Sequence, residues 1–197
     1  MKGIDVSSYQ ETIDWAAVKQ TGLVDFAYAK ATEGEYEIDP QYARNKAVCL
    51  ERQIPFGSYH YFHPSEDPKA QAYHFLHVIG SGPNDTLIPM LDVEEADGLS
   101  SHEIVNAIHA FLSVVKGRPL IYTYYAFWND TMKGNSEFAA YPLWLAEYNS
   151  DAEPTMPNGW SEWVLWQKSR TESVNGITGS VDFDVLNPRV AFKTLQK

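Results

Sequence analysis

Asp92 and Glu94 stand one residue apart, with Val93 between them, at the end of the run Leu87-Ile88-Pro89-Met90-Leu91. In an extended chain residues i and i+2 point the same way. Both carboxyls therefore share a face with Met90, while Leu91 and Val93 face the opposite layer. Two acids side by side at the end of an apolar strand raise each other's pKa and resist desolvation. The chemistry that uses such a pair best is proton transfer to a glycosidic oxygen, with one carboxyl holding a proton and the other meeting developing positive charge. A D-x-E triplet alone also describes a strand that simply ends in solvent, so further acids must be delivered to the same place.

The surrounding pattern supplies a scaffold that does this. Short apolar strands are expected over 3–7, 24–31, 56–62, 87–94 and 119–124, alternating with helical segments. The helix after 14 turns Trp15 and Val18 inward and ends at Gly22. Asp39-Pro40 and Asp67-Pro68 read as N-cap and first helical residue of helices running to about 53 and 80. Ser100 and Glu103 form a capping box for a helix with Ile104, Ala107, Ile108, Phe111 and Leu112 on one face. A short helical piece is expected over 126–133. Beyond it, strands over 142–148, 163–167 and 181–186 are joined by segments without helical periodicity.

Strand–helix alternation implies a parallel sheet, and eight strands imply closure into an α/β, irregular TIM-like barrel. Five β/α units are followed by three strands without helices. The segment 168–180 is short for a parallel return, so the last strand is expected to run antiparallel. Its first acid, Asp182, then reaches the rim where the other strands end. The acids collected there are Asp5, Glu33, Asp92, Glu94 and Asp182, with Tyr61, Tyr122, Trp144 and Gln167 at or near neighbouring strand ends.

Composition narrows the partners. The net charge of −11, with no basic run, argues against nucleic acid or an anionic membrane. No apolar run approaches membrane-spanning length. The single Cys49 excludes an internal disulfide. Residues 1–197 are expected to form one domain, acting as a monomer. Met1-Lys2 leads straight into Gly3-Ile4-Asp5-Val6 with no visible signal peptide. A protein acting outside the cytoplasm would then need release by lysis, a dedicated secretion route or a trimmed leader.

Eight motifs in order resemble the family 25 glycoside hydrolases, the lysozymes of the Chalaropsis and phage endolysin type. They are Asp5-Val6-Ser7-Ser8-Tyr9-Gln10 with Ile13-Asp14-Trp15, Lys30-Ala31-Thr32-Glu33-Gly34, Gly57-Ser58-Tyr59-His60-Tyr61-Phe62, Asp92-Val93-Glu94, Pro119-Leu120-Ile121-Tyr122-Thr123, Leu143-Trp144-Leu145-Ala146-Glu147-Tyr148, Trp166-Gln167 and Val181-Asp182. The resemblance implies the same barrel and hydrolysis of the β-1,4 bond between N-acetylmuramic acid and N-acetylglucosamine in peptidoglycan. By position it implies Glu94 as general acid/base, Asp92 as its partner, and Asp5 and Asp182 as supporting acids. Tyr61, Tyr122, Trp144, Glu33 and Gln167 are expected to contact the sugar. It favours retention, with the substrate's own N-acetyl oxygen attacking the anomeric carbon while an ionised Asp92 orients the amide. Lys168 stands where an aromatic is common, Leu186 where Phe is frequent, and Asp184 where Asn is usual, which places a fifth acid near the rim.

Three other readings compete. A metal-dependent sugar deacetylase would need a ligand set. Yet His60 and His63 fall on opposite strand faces, and His74 and His77 lie on an outer helix, so no metal or other cofactor is expected. A barrel chitinase would use similar acids on chitin. A non-catalytic wall-binding module would tolerate loss of Glu94.

Overall fold

The computed structural model describes residues 1–80, 82, 84–148 and 152–197. Its strands are β1 (Lys2–Val6), β2 (Phe26–Glu33), β3 (Glu37–Ile38), β4 (Phe56–Tyr61), β5 (Met90–Asp92), β6 (Leu120–Tyr124), β7 (Leu143–Ala146), β8 (Leu165–Glu172) and β9 (Val181–Leu186). The helices are α1 (Trp15–Gln20), α2 (Tyr42–Glu51), α3 (Pro68–Ile79) and α4 (Ser101–Val114). Around the barrel the order is β1-β2-β4-β5-β6-β7-β8-β9, and β9 closes onto β1. From β1 to β8 every pairing in that circuit is parallel. The last strand, β9, is antiparallel to both β8 and β1; β8 runs on to Glu172, so the connection is 173–180, shorter still than the expected 168–180.

Local chemistry sets the element ends. Asp14 caps α1 through the Ala16 and Ala17 amides, and Asp67 caps α3 through those of Lys69 and Ala70. The Ser100–Glu103 capping box starts α4 as expected. The Asp39 reading is corrected: α2 begins at Tyr42, and its N-cap, Gln41, makes no side-chain cap bond. Asp39 instead ties two segments together, accepting from the Ser8 amide at 2.7 Å and the Gln41 amide at 2.9 Å. The hairpin partner β3, which pairs with Thr32 and Glu33, carries no alternating pattern that would have announced it. The fifth unit has a short π-helical turn, Phe127–Thr131, in place of an α-helix, and among the described residues no α-helix follows β7, β8 or β9, the last being followed by a short 3-10 turn, Phe192–Leu195.

Alternation along the strands separates two apolar layers. Leu91, Val93, Ile121, Leu143 and Leu145 pack outward against the helices with Phe75, Ile108 and Phe111. Phe26, Tyr28, Tyr59, Met90, Leu120, Tyr122 and Trp144 fill the barrel interior. Those rings need room, which two glycines provide. A Cβ on Gly3 would sit 2.2 Å from the Phe26 ring, and one on Gly57 would sit 2.2 Å from the Tyr28 ring. The apolar interior is thus packed shut below, and the polar ends of the strands are left to line its mouth.

Candidate active site

A cavity of about 310 Å³ opens at the C-terminal ends of the parallel strands, and Asp5, Tyr61, Asp92, Glu94, Tyr122, Gln167 and Asp182 all line it. Each arrives by a different route. Asp5 and Asp182 are direct partners in the β1–β9 ladder, which only an antiparallel β9 permits. Tyr61, Asp92 and Tyr122 lie side by side on β4, β5 and β6. Glu94 is just past the end of β5, yet the alternation persists because the Val93 amide still donates to the Tyr122 carbonyl at 2.9 Å. An adjoining recess of about 410 Å³ extends the groove past Glu94 along Tyr124, Tyr125 and Tyr148.

Gln167 is buried and organises this floor. Its Nε2 donates to Asp5 Oδ2 at 2.7 Å. Its Oε1 accepts from the Tyr122 hydroxyl at 2.9 Å and the Tyr148 hydroxyl at 2.6 Å. One amide side chain therefore fixes an acid on β1 and two tyrosines across the groove. Asp184, fully buried beneath, accepts from Trp144 Nε1 at 3.0 Å. Among the described residues its other oxygen, Oδ2, meets no donor. Protonated, it donates to Asp5, which is the state that burial and the nearby Asp5 and Asp182 charges favour.

Every acid of the cluster holds its proton more tightly than usual. Burial is the largest cause throughout. Asp182 adds to it at Asp5, while Glu94 and then Asp5 add to it at Asp92. At Glu94 the neighbouring Glu95 charge adds to burial, opposed by the Lys30 charge, while the Tyr61 hydroxyl donates to Glu95 Oε1 at 3.0 Å. Burial lifts Asp182 to about 6, with the Arg170 charge acting in the other direction. Both Asp92 and Glu94 are thus raised above the usual carboxylate range. Asp92 is the more deeply buried of the two, and among the described residues no donor reaches its Oδ1 to stabilise a charge.

Two expected sugar contacts lie elsewhere. Trp144 is fully buried under the cavity, 4.8 Å from the Tyr28 ring and 6.0 Å from the Tyr122 ring, so it supports the floor. Glu33 borders a separate acidic recess with Glu35, Glu37 and Glu66. It pairs with Lys30 at 2.5 Å and His63 at 3.3 Å, and although burial alone would raise its pKa, these partners hold it below the usual range. Lys30, Tyr59 and Tyr148, which fall within the motifs without an expected role of their own, also line the cavity, as does Arg170, which lies in no motif. Alternation along β2 from Phe26 through Tyr28 does point to Lys30.

The histidines do not assemble a ligand set. His60 is buried between the Thr32 hydroxyl at 2.7 Å and Gln71 Oε1 at 3.0 Å, and burial pushes it down to about 3. Among the described residues no group of three or more His, Cys, Asp or Glu side chains is placed to hold a metal ion. Nor is any of their helices long and apolar enough to cross a membrane.

Comparison with known proteins places this geometry. Residues 4–177 match the family described as glycosyl hydrolases family 25. The chain is 38% identical over 196 residues to YegX of Escherichia coli, an uncharacterized protein, covering 95% of this chain and 70% of that one. It is 36% identical over 205 residues to lysozyme M1 of Streptomyces globisporus, covering 97% of this chain and 69% of that one. Among solved structures, the bacterial lysozyme from Streptomyces coelicolor superposes with a TM-score of 0.89 at 32% identity, over 99% of this chain and 94% of that one. The match runs through every strand that contributes an acid except β9, whose Asp182 lies past residue 177, and the chain belongs to the family 25 glycosyl hydrolases.

Proposed function

We propose that this chain is an N-acetylmuramidase, cleaving the β-1,4 bond between N-acetylmuramic acid and N-acetylglucosamine in peptidoglycan with retention of configuration. The observation that carries the reading is the convergence of Asp5, Asp92, Glu94 and Asp182 in one cavity, from strands at opposite ends of the chain. A sugar leaves only if its oxygen is protonated as the bond breaks, and Glu94, half-buried at the cavity wall with a raised pKa, suits that task.

Asp92 is the deeper acid and suits a different one. When a sugar carrying an N-acetyl group fills the cavity, an amide N–H donated to Asp92 favours its ionised form. The proton that burial held at Asp92 is then free to reside on Glu94. The acetyl oxygen attacks the anomeric carbon, Glu94 gives its proton to the departing oxygen, and ionised Asp92 stabilises the oxazolinium-like intermediate. Glu94 then takes a proton from the incoming water, which opens the ring on the same face. Asp5 and Asp182 are the supporting acids, keeping negative potential beneath the reacting carbon and the proton on Glu94. Tyr61 and Tyr122 offer ring edges to the sugar, and Gln167 holds Asp5 in place.

Residues 1–197 act in this reading as one catalytic domain and as a monomer, with peptidoglycan as the partner. Its site of action is the wall outside the cytoplasm, reached by lysis or by an export route. Reducing-end analysis of purified peptidoglycan digests tests the assignment. New N-acetylmuramic acid ends are expected. N-acetylglucosamine ends would move the reaction to the other bond, and chitin cleaved in preference would move it to another substrate.

A further inference from the structure

Among the described residues two cations, Lys30 and Arg170, line the cavity, and the mechanism uses neither. Arg170 lies on β8 where the pairing with β9 slips twice, between Gln167 and Ser169 and again between Ser169 and Glu172. Bulges beside active sites re-aim side chains. Here Arg170 reaches the wall between the acid-lined cavity and the tyrosine-lined recess, and it borders both of them as well as an outer shelf formed with Lys168, Ser169, Thr171, Glu172 and Phe183.

Its guanidinium lies over the Tyr148 ring, 5.1 Å from the centroid. A stacked guanidinium keeps its N–H edge free to grip a carboxylate with two parallel hydrogen bonds. Among the described residues no carboxylate oxygen comes within 4.0 Å of it. The other cation of the cavity, Lys30, is already taken up by Glu33 at 2.5 Å. A fixed positive charge facing an acidic groove in a chain of net charge −11 has no counterpart in a neutral sugar backbone. Its natural counterpart is an anionic substituent on the sugar.

We propose that Arg170 is a specificity residue that binds a carboxylate carried on the muramyl unit, either the lactyl carboxylate itself or one of the attached stem peptide. This rests on the muramidase reading above. In either case the anion sits at the boundary of cavity and recess, beside Tyr148, and fixes which sugar of the alternating strand enters next to Glu94.

The test compares wild type with Arg170→Ala and Arg170→Lys on three soluble forms of one glycan. These are strands with intact stems, strands stripped of stems by an amidase so that the lactyl carboxylate is free, and strands whose carboxylates are capped as methylamides. A charge-assisted pair is worth about a 10- to 100-fold change in binding. Arg170→Ala is expected to raise KM by that factor on at least one anionic form while kcat changes little, with Arg170→Lys between. On the capped form the variant and wild type should have the same KM. A rise confined to the stem-bearing strands assigns the peptide carboxylate, and a rise on the stripped strands assigns the lactyl group.

Two results overturn the proposal alone: unchanged KM on both anionic forms, or an equal loss on all three, which would mean Arg170 acts only through its charge on Asp182. Wild type that releases no muramic acid ends from any form overturns the muramidase reading and this inference with it.

Discussion

Replacing Gln167 with glutamate exchanges one NH₂ group for an oxygen at the point where Asp5, Tyr122 and Tyr148 meet. Two carboxylates would then face each other across the 2.7 Å now spanned by a hydrogen bond. With both ionised, repulsion at that distance is about 6 kcal/mol for an effective dielectric constant of roughly 20. Holding a proton at pH 7 on a glutamate with an ordinary pKa near 4.3 costs about 4 kcal/mol. The second cost is the smaller, so the variant folds with the introduced carboxyl protonated, donating to Asp5 through one oxygen and accepting from both tyrosines through the other. Gln167→Glu should therefore lose about 4 kcal/mol of stability at pH 7 and less than about 1 kcal/mol at pH 4.5. For a chain of this size that corresponds to a Tm lower than wild type by roughly 8–16 °C at pH 7, closing to about 2 °C at pH 4.5. Thermal melts of both proteins at the two pH values measure it. A Tm difference independent of pH would mean that Asp5 already holds a proton in the folded state, as its burial favours, and would refute the two-carboxylate reasoning.

The remaining predictions concern the deeper layers. Asp184 binds its proton more tightly folded than unfolded, so the native state carries more protons between the unfolded pKa near 4 and the higher native one, and stability falls as pH rises through that window. Asp184→Asn keeps an acceptor for Trp144 and a donor for Asp5 without that dependence, so it should melt higher than wild type at pH 8 and equally near pH 4; the reverse order would show that Asp184 is ionised in the native state. Gly57→Ala forces a methyl group to within 2.2 Å of the Tyr28 ring, so about 1–3 kcal/mol of stability should be lost in denaturant titrations, whereas an unchanged midpoint would mean the ring can move aside.

The barrel was legible because its signals are local and repeated. Asp67-Pro68 and the Ser100–Glu103 pair start their helices where expected, and the interior–exterior alternation through Met90, Leu91, Asp92 and Val93 holds to the residue. An antiparallel β9 followed from connection length alone. Asp39-Pro40 carries the same start signal as Asp67-Pro68, yet its two side-chain oxygens bond the Ser8 and Gln41 amides ahead of the helix, and no local rule reveals a partner 31 residues away.

At the site, the acids could be collected from strand ends, since a barrel brings those together whatever their sequence distance. Depth could not be read the same way. Trp144 alternates with the cavity residues yet lies one layer below them, and Asp92 sits deeper than Glu94. The direction of Arg170 depends on two register slips, which leave no mark in hydrophobic periodicity.

The most direct test of the account is the rate of peptidoglycan cleavage by Glu94→Gln, measured alongside its melting temperature and its binding to the uncut polymer. Removing a general acid/base should slow release of reducing ends by about 10²–10⁴-fold, with folding and binding retained. Cleavage at the wild-type rate by a folded Glu94→Gln protein would contradict it.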